Sequence, residues 1–323
     1  MARPTSATTV ARPDLGAIAY EYMEKGGDRG FICLDLLPVL DVREESGNYP
    51  KIPIEALLKL PSTARAASGA YNRDAWEFEL GNYNCVENGI EEPVEDSEAR
   101  KYSRYFDAEE IAVQRGVDIL LRTQEARVAT KVFNTSNITA TADVTIAWGT
   151  AATAVPRANV MAGKLAMRAA SGLDPNVVAM SRKVFDTLMM TAEVTAAFRY
   201  TNPIEIGGYD AQKRLMAQYF GVDRVLVAGA VKDGAKKGQS YSLSDLWDDE
   251  YVGLFKVSNG GPDLRDPCLG RTFLWTADSP QNVVTETYRE EQTRSNIYRV
   301  RQNTDEAFVF TGAGYLLGNI IHP

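Results

Sequence analysis

The chain has 323 residues, 45% of them hydrophobic, and a formal charge of -8, which suits a folded protein of up to two domains, or of one domain with large excursions, and argues against a basic protein that wraps nucleic acid. A protein that encloses nucleic acid stays open. No apolar run approaches the roughly 18 residues of a membrane helix, and the opening MARPTSATTVARPDLG lacks the apolar core of a signal peptide, so no membrane partner is expected and synthesis should finish in the cytoplasm.

Residues 1–30 are rich in Ala, Thr, Arg and Gly, and Leu15 to Tyr22 is their only apolar patch. They read either as a frayed terminus or as an arm ordered against a neighbouring subunit. Phe31 to Val42, broken by Pro38, reads as a short helix followed by a strand. From Glu44 to Gly89 the chain makes a long excursion. Tyr49 to Leu60 is strand-like, Ala75 to Leu80 alternates Trp76, Phe78 and Leu80 with Glu77 and Glu79, and the polar stretch PSTARAASGAYNRD forms the tip. A two-stranded ribbon with so few apolar side chains has no core of its own. It either folds back on its own domain or reaches over another copy.

The densest charge run follows: Glu87, Glu91, Glu92, Glu95, Asp96 and Glu98 occur with no Lys or Arg among them, and Pro93 suggests an irregular segment. It reads as a solvated turn or as a patch facing arginines of a neighbour. The spacing lacks the alternation of a calcium loop. Phe106 to Asn134 then organises the chain as one long helix. Asp107 and Glu110 have capping-box spacing, and Phe106 with Ile111 sits where a hydrophobic staple would. Val113, Val117, Leu120, Leu121, Val128 and Val132 form a buried stripe, while Gln114, Arg115, Asp118, Arg122, Glu125 and Lys131 take the polar face.

Past this spine, NTSNITATADVTIAWG reads as strand, and Pro156 opens a helix closed by Gly172. Asn176 to Met180 reads as a strand, Ser181 caps a helix, Asp210 to Phe220 is a helix stopped by Gly221, and Val222 to Ala230 is a strand. This rhythm predicts an α/β lobe. Lys232 to Ser242 reads as a polar loop. Strands are expected at Tyr251 to Val257, at Leu269 to Trp275 and on both sides of REEQTRSN, with AFVF and YLLGNII as a terminal strand pair.

Catalytic patterns are missing. The sole histidine, His322, is penultimate, and the paired glycines form neither GxGxxG nor a phosphate loop. Cys33, Cys85 and Cys268 are an odd number without a close pair and read as buried thiols. No catalytic residue, cofactor or metal is assigned. The distant alternative is a metal-dependent enzyme with carboxylates near Glu91, Glu92 and Asp96.

The order of parts resembles the major capsid proteins of tailed bacteriophages with the Hong Kong 97 fold. The local matches are SGNYPKIP, ENGIEEPVED, VATKVFNTSNI, NVVAMSRKVFDTL, YFGVDRVLVAGA and DEAFVFTGAGYLLGNII. The resemblance implies an α+β fold with an N-terminal arm (1–30), the start of a peripheral domain (31–43) and an extended loop (44–89). The peripheral domain (90–148) would carry the spine helix (107–134), 149–270 would be mostly axial domain, and 271–323 would return to the peripheral domain and the terminal strands. It further implies an icosahedral shell of hexamers and pentamers around double-stranded DNA, assembled in a bacterial host and found in the virion. The implied partners are many copies of the chain, a separate scaffolding protein, a portal, possible decoration protein and packaged DNA touched without sequence preference. Tyr49, Trp76, Phe78, Glu91, Glu92 and Glu95 are the expected intersubunit contacts. Lys51, Lys59 and Asn72 lie where some members cross-link, but non-covalent closure is expected here. An encapsulin-like nanocompartment is the alternative within the same fold.

Overall fold

The computed structural model describes residues 10–24, 30–65, 67, 69–73, 78–199, 208–236, 238–261, 264–280 and 282–322. The first half of the chain comprises β1 (Val10–Ala11), α1 (Pro13–Glu24), α2 (Cys33–Leu36), β2 (Val39–Val42), β3 (Ser46–Lys51), α3 (Ile54–Leu58), β4 (Glu79–Asn84), β5 (Val86–Glu95), α4 (Asp96–Tyr102), α5 (Ala108–Val132) and β6 (Thr141–Asp143). The lobe contains α6 (Pro156–Ser171), β7 (Val177–Ser181), α7 (Arg182–Met190), α8 (Ala192–Arg199), α9 (Gly208–Phe220), β8 (Arg224–Ala228), β9 (Val231–Asp233), β10 (Leu243–Asp245) and β11 (Val252–Phe255). β12 (Gly270–Trp275), β13 (Val284–Glu290), β14 (Ser295–Phe308) and β15 (Gly314–Gly318) follow the lobe and complete the chain.

Two sheets organise these elements. The first runs β1-β13-β14-β12-β2, with β5 also paired to β14; the second runs β6-β15-β11-β7-β8. β7 and β8 lie parallel and fully or largely buried, as continuous apolar runs such as VVAMS require when both faces of a strand are covered. Helix α5 spans both halves of the molecule. Val113, Val117, Leu120 and Leu121 pack with α1, Tyr298 and Val300, whereas Val128 and Val132 join the core of the lobe. The buried stripe read from the sequence is therefore shared between two cores.

Local signals account for most boundaries. Asp107 accepts a hydrogen bond from the Glu109 N–H at 2.9 Å, Ser181 caps α7 through the Val184 N–H at 3.3 Å, and Gly172 closes α6 at φ 72°. Gly116 sits against the sheet: a Cβ there would lie 2.9 Å from the Val300 Cγ2, so the missing side chain lets helix and strand approach. The staple does not form. Phe106 and Ile111 are both largely exposed, and Phe106 stacks on Tyr102 at 5.5 Å.

Other expectations are corrected by long-range contacts. The N-terminal arm is neither frayed nor dependent on a neighbour over residues 10–24: β1 pairs with β13, and Leu15 and Ala19 of α1 are buried against α5. Arg12 pairs with Asp14 at 2.7 Å, while residues 1–9 and 25–29 lie outside the described set. Strand β3 stops at Lys51 and a short helix follows, and the stretch before Gly149 keeps only β6 as strand. Lys232 to Ser242 is framed by a β9–β10 hairpin. The terminal pair is split between sheets, since β14 lies inside the first, between β13 and β12, and β15 joins β11 and β6 in the second. Pairing partners decide this, and a two-residue periodicity cannot choose among them.

The join between the arm and the lobe depends on one glycine. Gly30 has φ 81°, its carbonyl accepts the Gly229 N–H at 3.0 Å, and a Cβ at Gly30 would stand 2.5 Å from that backbone nitrogen. Gly30→Ala is expected to cost about 2 kcal/mol or more, from the left-handed backbone plus displaced main chain. Gly229→Ala, whose Cβ meets nothing nearer than 3.7 Å, should be much milder; urea midpoints of the two variants check the contrast.

Candidate intersubunit surface

The extended loop is anchored at its base and open beyond it. β3 and β4 pair antiparallel from Ser46 with Asn84 to Lys51 with Glu79. Tyr49 lies over Gly81, packs against Phe273 at 5.0 Å and donates its hydroxyl hydrogen bond to the Phe308 carbonyl at 3.2 Å. Tyr83 stacks on Phe273 at 4.8 Å, and the Asn84 N–H donates to Asp305 at 3.0 Å. Tyr49 is thus buried in its own chain, which removes it from the expected contacts. An alternating pattern shows that a tyrosine has a buried side but not whose core buries it.

Farther out the apolar side chains have little cover. Leu60 is 98% exposed, Tyr71 and Leu80 are each 72% exposed, and Phe78 is 60% exposed. Among the described residues the tip is tied locally, by Asn72 donating to the Ser62 carbonyl at 3.0 Å, Arg65 donating to the Gly69 carbonyl at 2.7 Å and the Arg65 guanidinium lying 4.7 Å over the Tyr71 ring. Lys51 pairs with Glu79 at 3.2 Å. Trp76 lies outside the described residues. A cleft of about 400 Å³ opens between the loop base and the end of α6, with Ile54, Leu58, Arg168, Gly172 and Phe310 among its walls.

The acidic run is not an irregular turn. Val86 to Glu95 form β5, paired in unbroken antiparallel register with β14, and Pro93 is opposite Ile297 on a strand with β14 as its one sheet partner. The arginines that meet this run belong to the same chain. Glu91 accepts from Arg299 at 2.7 Å and from the Tyr288 hydroxyl at 3.1 Å; Glu92 lies 3.5 Å from Arg115. Asp96 accepts two hydrogen bonds from Arg289 at 2.6 and 2.7 Å, which hold its carboxyl below the ordinary range. Arg299 and Arg301 also share Glu286. The signal was present as Arg299 and Arg301 at strand spacing, but without the register there was no basis for matching them to Glu91. Glu95 stays exposed and accepts from the Ser97 hydroxyl at 2.7 Å.

Among the described residues there is no group of three metal-ligating side chains, and His322 is exposed 3.9 Å from Glu250. The three cysteines are free and buried. The buried Glu125 carboxylate is a structural tie, accepting from the Ile32 and Cys33 N–H groups and the Trp247 indole. No described helix is long and apolar enough to cross a membrane.

No protein-family model matches the chain. It is 25% identical over 300 residues to the major capsid protein of Burkholderia phage BcepMu, an alignment covering 90% of this chain and 91% of that one. A phage-related protein from Bordetella bronchiseptica RB50 has a crystal structure similar to it at TM-score 0.72 and 21% identity, over 97% of this chain and 99% of the other. The holo-SrpI encapsulin complex of Synechococcus elongatus PCC 7942 is similar at TM-score 0.54 and 10% identity, over 89% and 86% of the two chains.

Proposed function

We propose, for a chain that has the Hong Kong 97-like capsid fold and is homologous to phage major capsid proteins, that it builds the head of a tailed phage as hexamers and pentamers of an icosahedral shell around double-stranded DNA. The observation that carries this reading is the loop: anchored by Tyr49 and Tyr83 at its base, it presents Leu60, Tyr71, Phe78 and Leu80 to solvent. A neighbouring copy that covers these side chains supplies the core the ribbon lacks. The loop, with Phe78 and Trp76 upon it, is therefore the intersubunit element, and Glu95, exposed at the end of β5, is a further intersubunit residue. The half built on the first sheet corresponds to the peripheral domain and the lobe to the axial domain, with α5 spanning the two. Closure is non-covalent. A separate scaffolding protein, a portal and a decoration protein are the further partners of this reading.

Fold alone does not separate this container from a nanocompartment for protein cargo, because an encapsulin has it too. The similarity in sequence along 90% of the chain is to a phage capsid protein, which favours a genome as the content. The test replaces residues 59–78 by a short Gly-Ser turn. The subunit should melt as the parent does, yet form no shells by electron microscopy in the presence of its assembly partners. Shells of normal size from the shortened chain would overturn the role of the loop. Parent particles that contain protein cargo and no nuclease-protected DNA would overturn the genome container.

A further inference from the structure

One end of the molecule carries two complementary surfaces that do not satisfy each other within the chain. The first is the knuckle between β5 and α5. Arg100, Lys101 and Arg104 are exposed there, as are Tyr102, Tyr105 and Phe106, and α4 has no buried residue. Tyr105 is 82% exposed. Lys101 lies over the Tyr102 ring at 5.3 Å, and neither Arg100 nor Arg104 forms an ion pair among the described residues.

The second surface is an acidic row at the end of the first sheet. Ser295 stands opposite Glu95 on one side and Glu290 on the other, so the three residues occupy one row across adjacent strands, whose spacing of about 4.8 Å sets the two carboxylate-bearing residues roughly 10 Å apart. Glu291 continues the row into the turn, 3.5 Å from Arg289 but with its side chain 83% exposed. The double hydrogen bond from Arg289 to Asp96 fixes the start of α4 beside this turn, placing both surfaces at the same end.

We infer that the knuckle formed by Arg100, Lys101, Arg104 and Tyr105 docks on the acidic row Glu95, Glu290 and Glu291 of a second copy of this chain. The inference rests on the shell-forming reading and names a contact separate from the loop. Nucleic acid is the weaker occupant, because Glu98, Asp107 and Glu110 lie among or next to the basic residues and would repel a phosphate backbone. A protein surface of mixed charge suits them. Donor and acceptor surfaces lie side by side, so copies meeting end-on around a shared axis can each give a knuckle and receive one, which closes into a ring. Single exposed ion pairs are weak, but each copy repeats the contact, and Tyr105 adds apolar area to it.

The experiment uses two charge reversals in the full chain, Arg100→Glu with Arg104→Glu and Glu95→Arg with Glu291→Arg. Each pair alone should lower the yield of sedimenting shells by about tenfold or more, the change expected for about 1.4 kcal/mol of association energy, with the melting temperature of the subunit unchanged. All four substitutions together should restore the yield. A second variant, Lys101→Cys with Glu290→Cys, places the contact between chains, since the native cysteines are buried: oxidised shells should give ladders of linked subunits on a non-reducing gel. Normal assembly by either reversed pair overturns the inference, as does failure of the combined variant to recover, or an oxidised product confined to single chains. Shells that form normally from the Arg100→Glu, Arg104→Glu chain but lose protected DNA would give the knuckle to nucleic acid instead. A parent chain that never associates overturns both this contact and the shell-forming reading, whereas a parent that assembles beside unaffected variants overturns the contact alone.

Discussion

Glu125→Ala is expected to destabilise the subunit by on the order of 3–5 kcal/mol, because it removes the common acceptor of three buried donors. The Ile32 N–H donates to Glu125 at 3.1 Å, the Cys33 N–H at 2.9 Å and the Trp247 indole N–H at 2.6 Å. These donors come from the start of α2 and from the segment after β10, so one carboxylate on α5 joins three parts of the chain. Glu125→Gln should recover only part of the loss, since an amide offers one acceptor oxygen and turns its own N–H groups toward donors. Burial is the largest influence on this carboxyl and raises its pKa, outweighing the hydrogen bonds that lower it. For an acid held above its unfolded value, the stabilisation is fully present below the unfolded pKa and is lost as pH rises through the folded pKa. The advantage of the parent over Glu125→Gln should therefore grow as pH falls from about 7 toward 5. Urea denaturation at the two pH values reads this directly; an advantage that shrinks on acidification would show that the hydrogen bonds outweigh burial.

Arg127→Met should cost about 3 kcal/mol, through the partner it leaves behind rather than through the charge it removes. Glu306 is 3% exposed and accepts from Arg127 at 2.7 and 3.2 Å, while the neighbouring Lys131 donates to the Glu306 carbonyl. The pair ties α5 to β14. Without the guanidinium, a buried carboxylate faces that seam with the Thr304 hydroxyl at 3.4 Å. Substituting both members, Arg127→Met with Glu306→Leu, should return stability to within about 1–2 kcal/mol of the parent, since an apolar pair of similar volume avoids the desolvation. A double-mutant cycle from denaturation midpoints measures the coupling. A loss in the double variant equal to the sum of the two single losses would mean that the two side chains act independently.

Signals that act over a few residues were legible in the chain. The Asp107 and Ser181 caps, the Gly172 and Gly221 stops, Pro156 at the start of α6 and the apolar runs of β7 and β8 all lie where such features predict. They depend on backbone groups within one or two turns, so the sequence states them completely. Glu125 shows the opposite case. By helical spacing it belongs with Arg122 on the polar face, and it becomes buried only because α2 and Trp247 cover that position from far along the chain. The acidic run differs from its sequence pattern for the same reason. Six carboxylates without local cations suggest solvent, until β14 brings Arg299, and β13 brings Arg289, into register beside them.

By itself the sequence determined a long amphipathic spine, an α/β lobe after it, and a loop too poor in apolar residues to fold alone; the order of these parts was enough to point to the capsid fold. Those properties follow from composition and periodicity, which need no knowledge of what lies opposite. Only the tertiary structure decided which strands share a sheet, that α1 docks on its own spine, that Tyr49 is an internal anchor while Phe78 is exposed, and which carboxylates of the acidic run are already paired. Each of these is a question of partner, and a partner is fixed by register and burial between segments up to hundreds of residues apart.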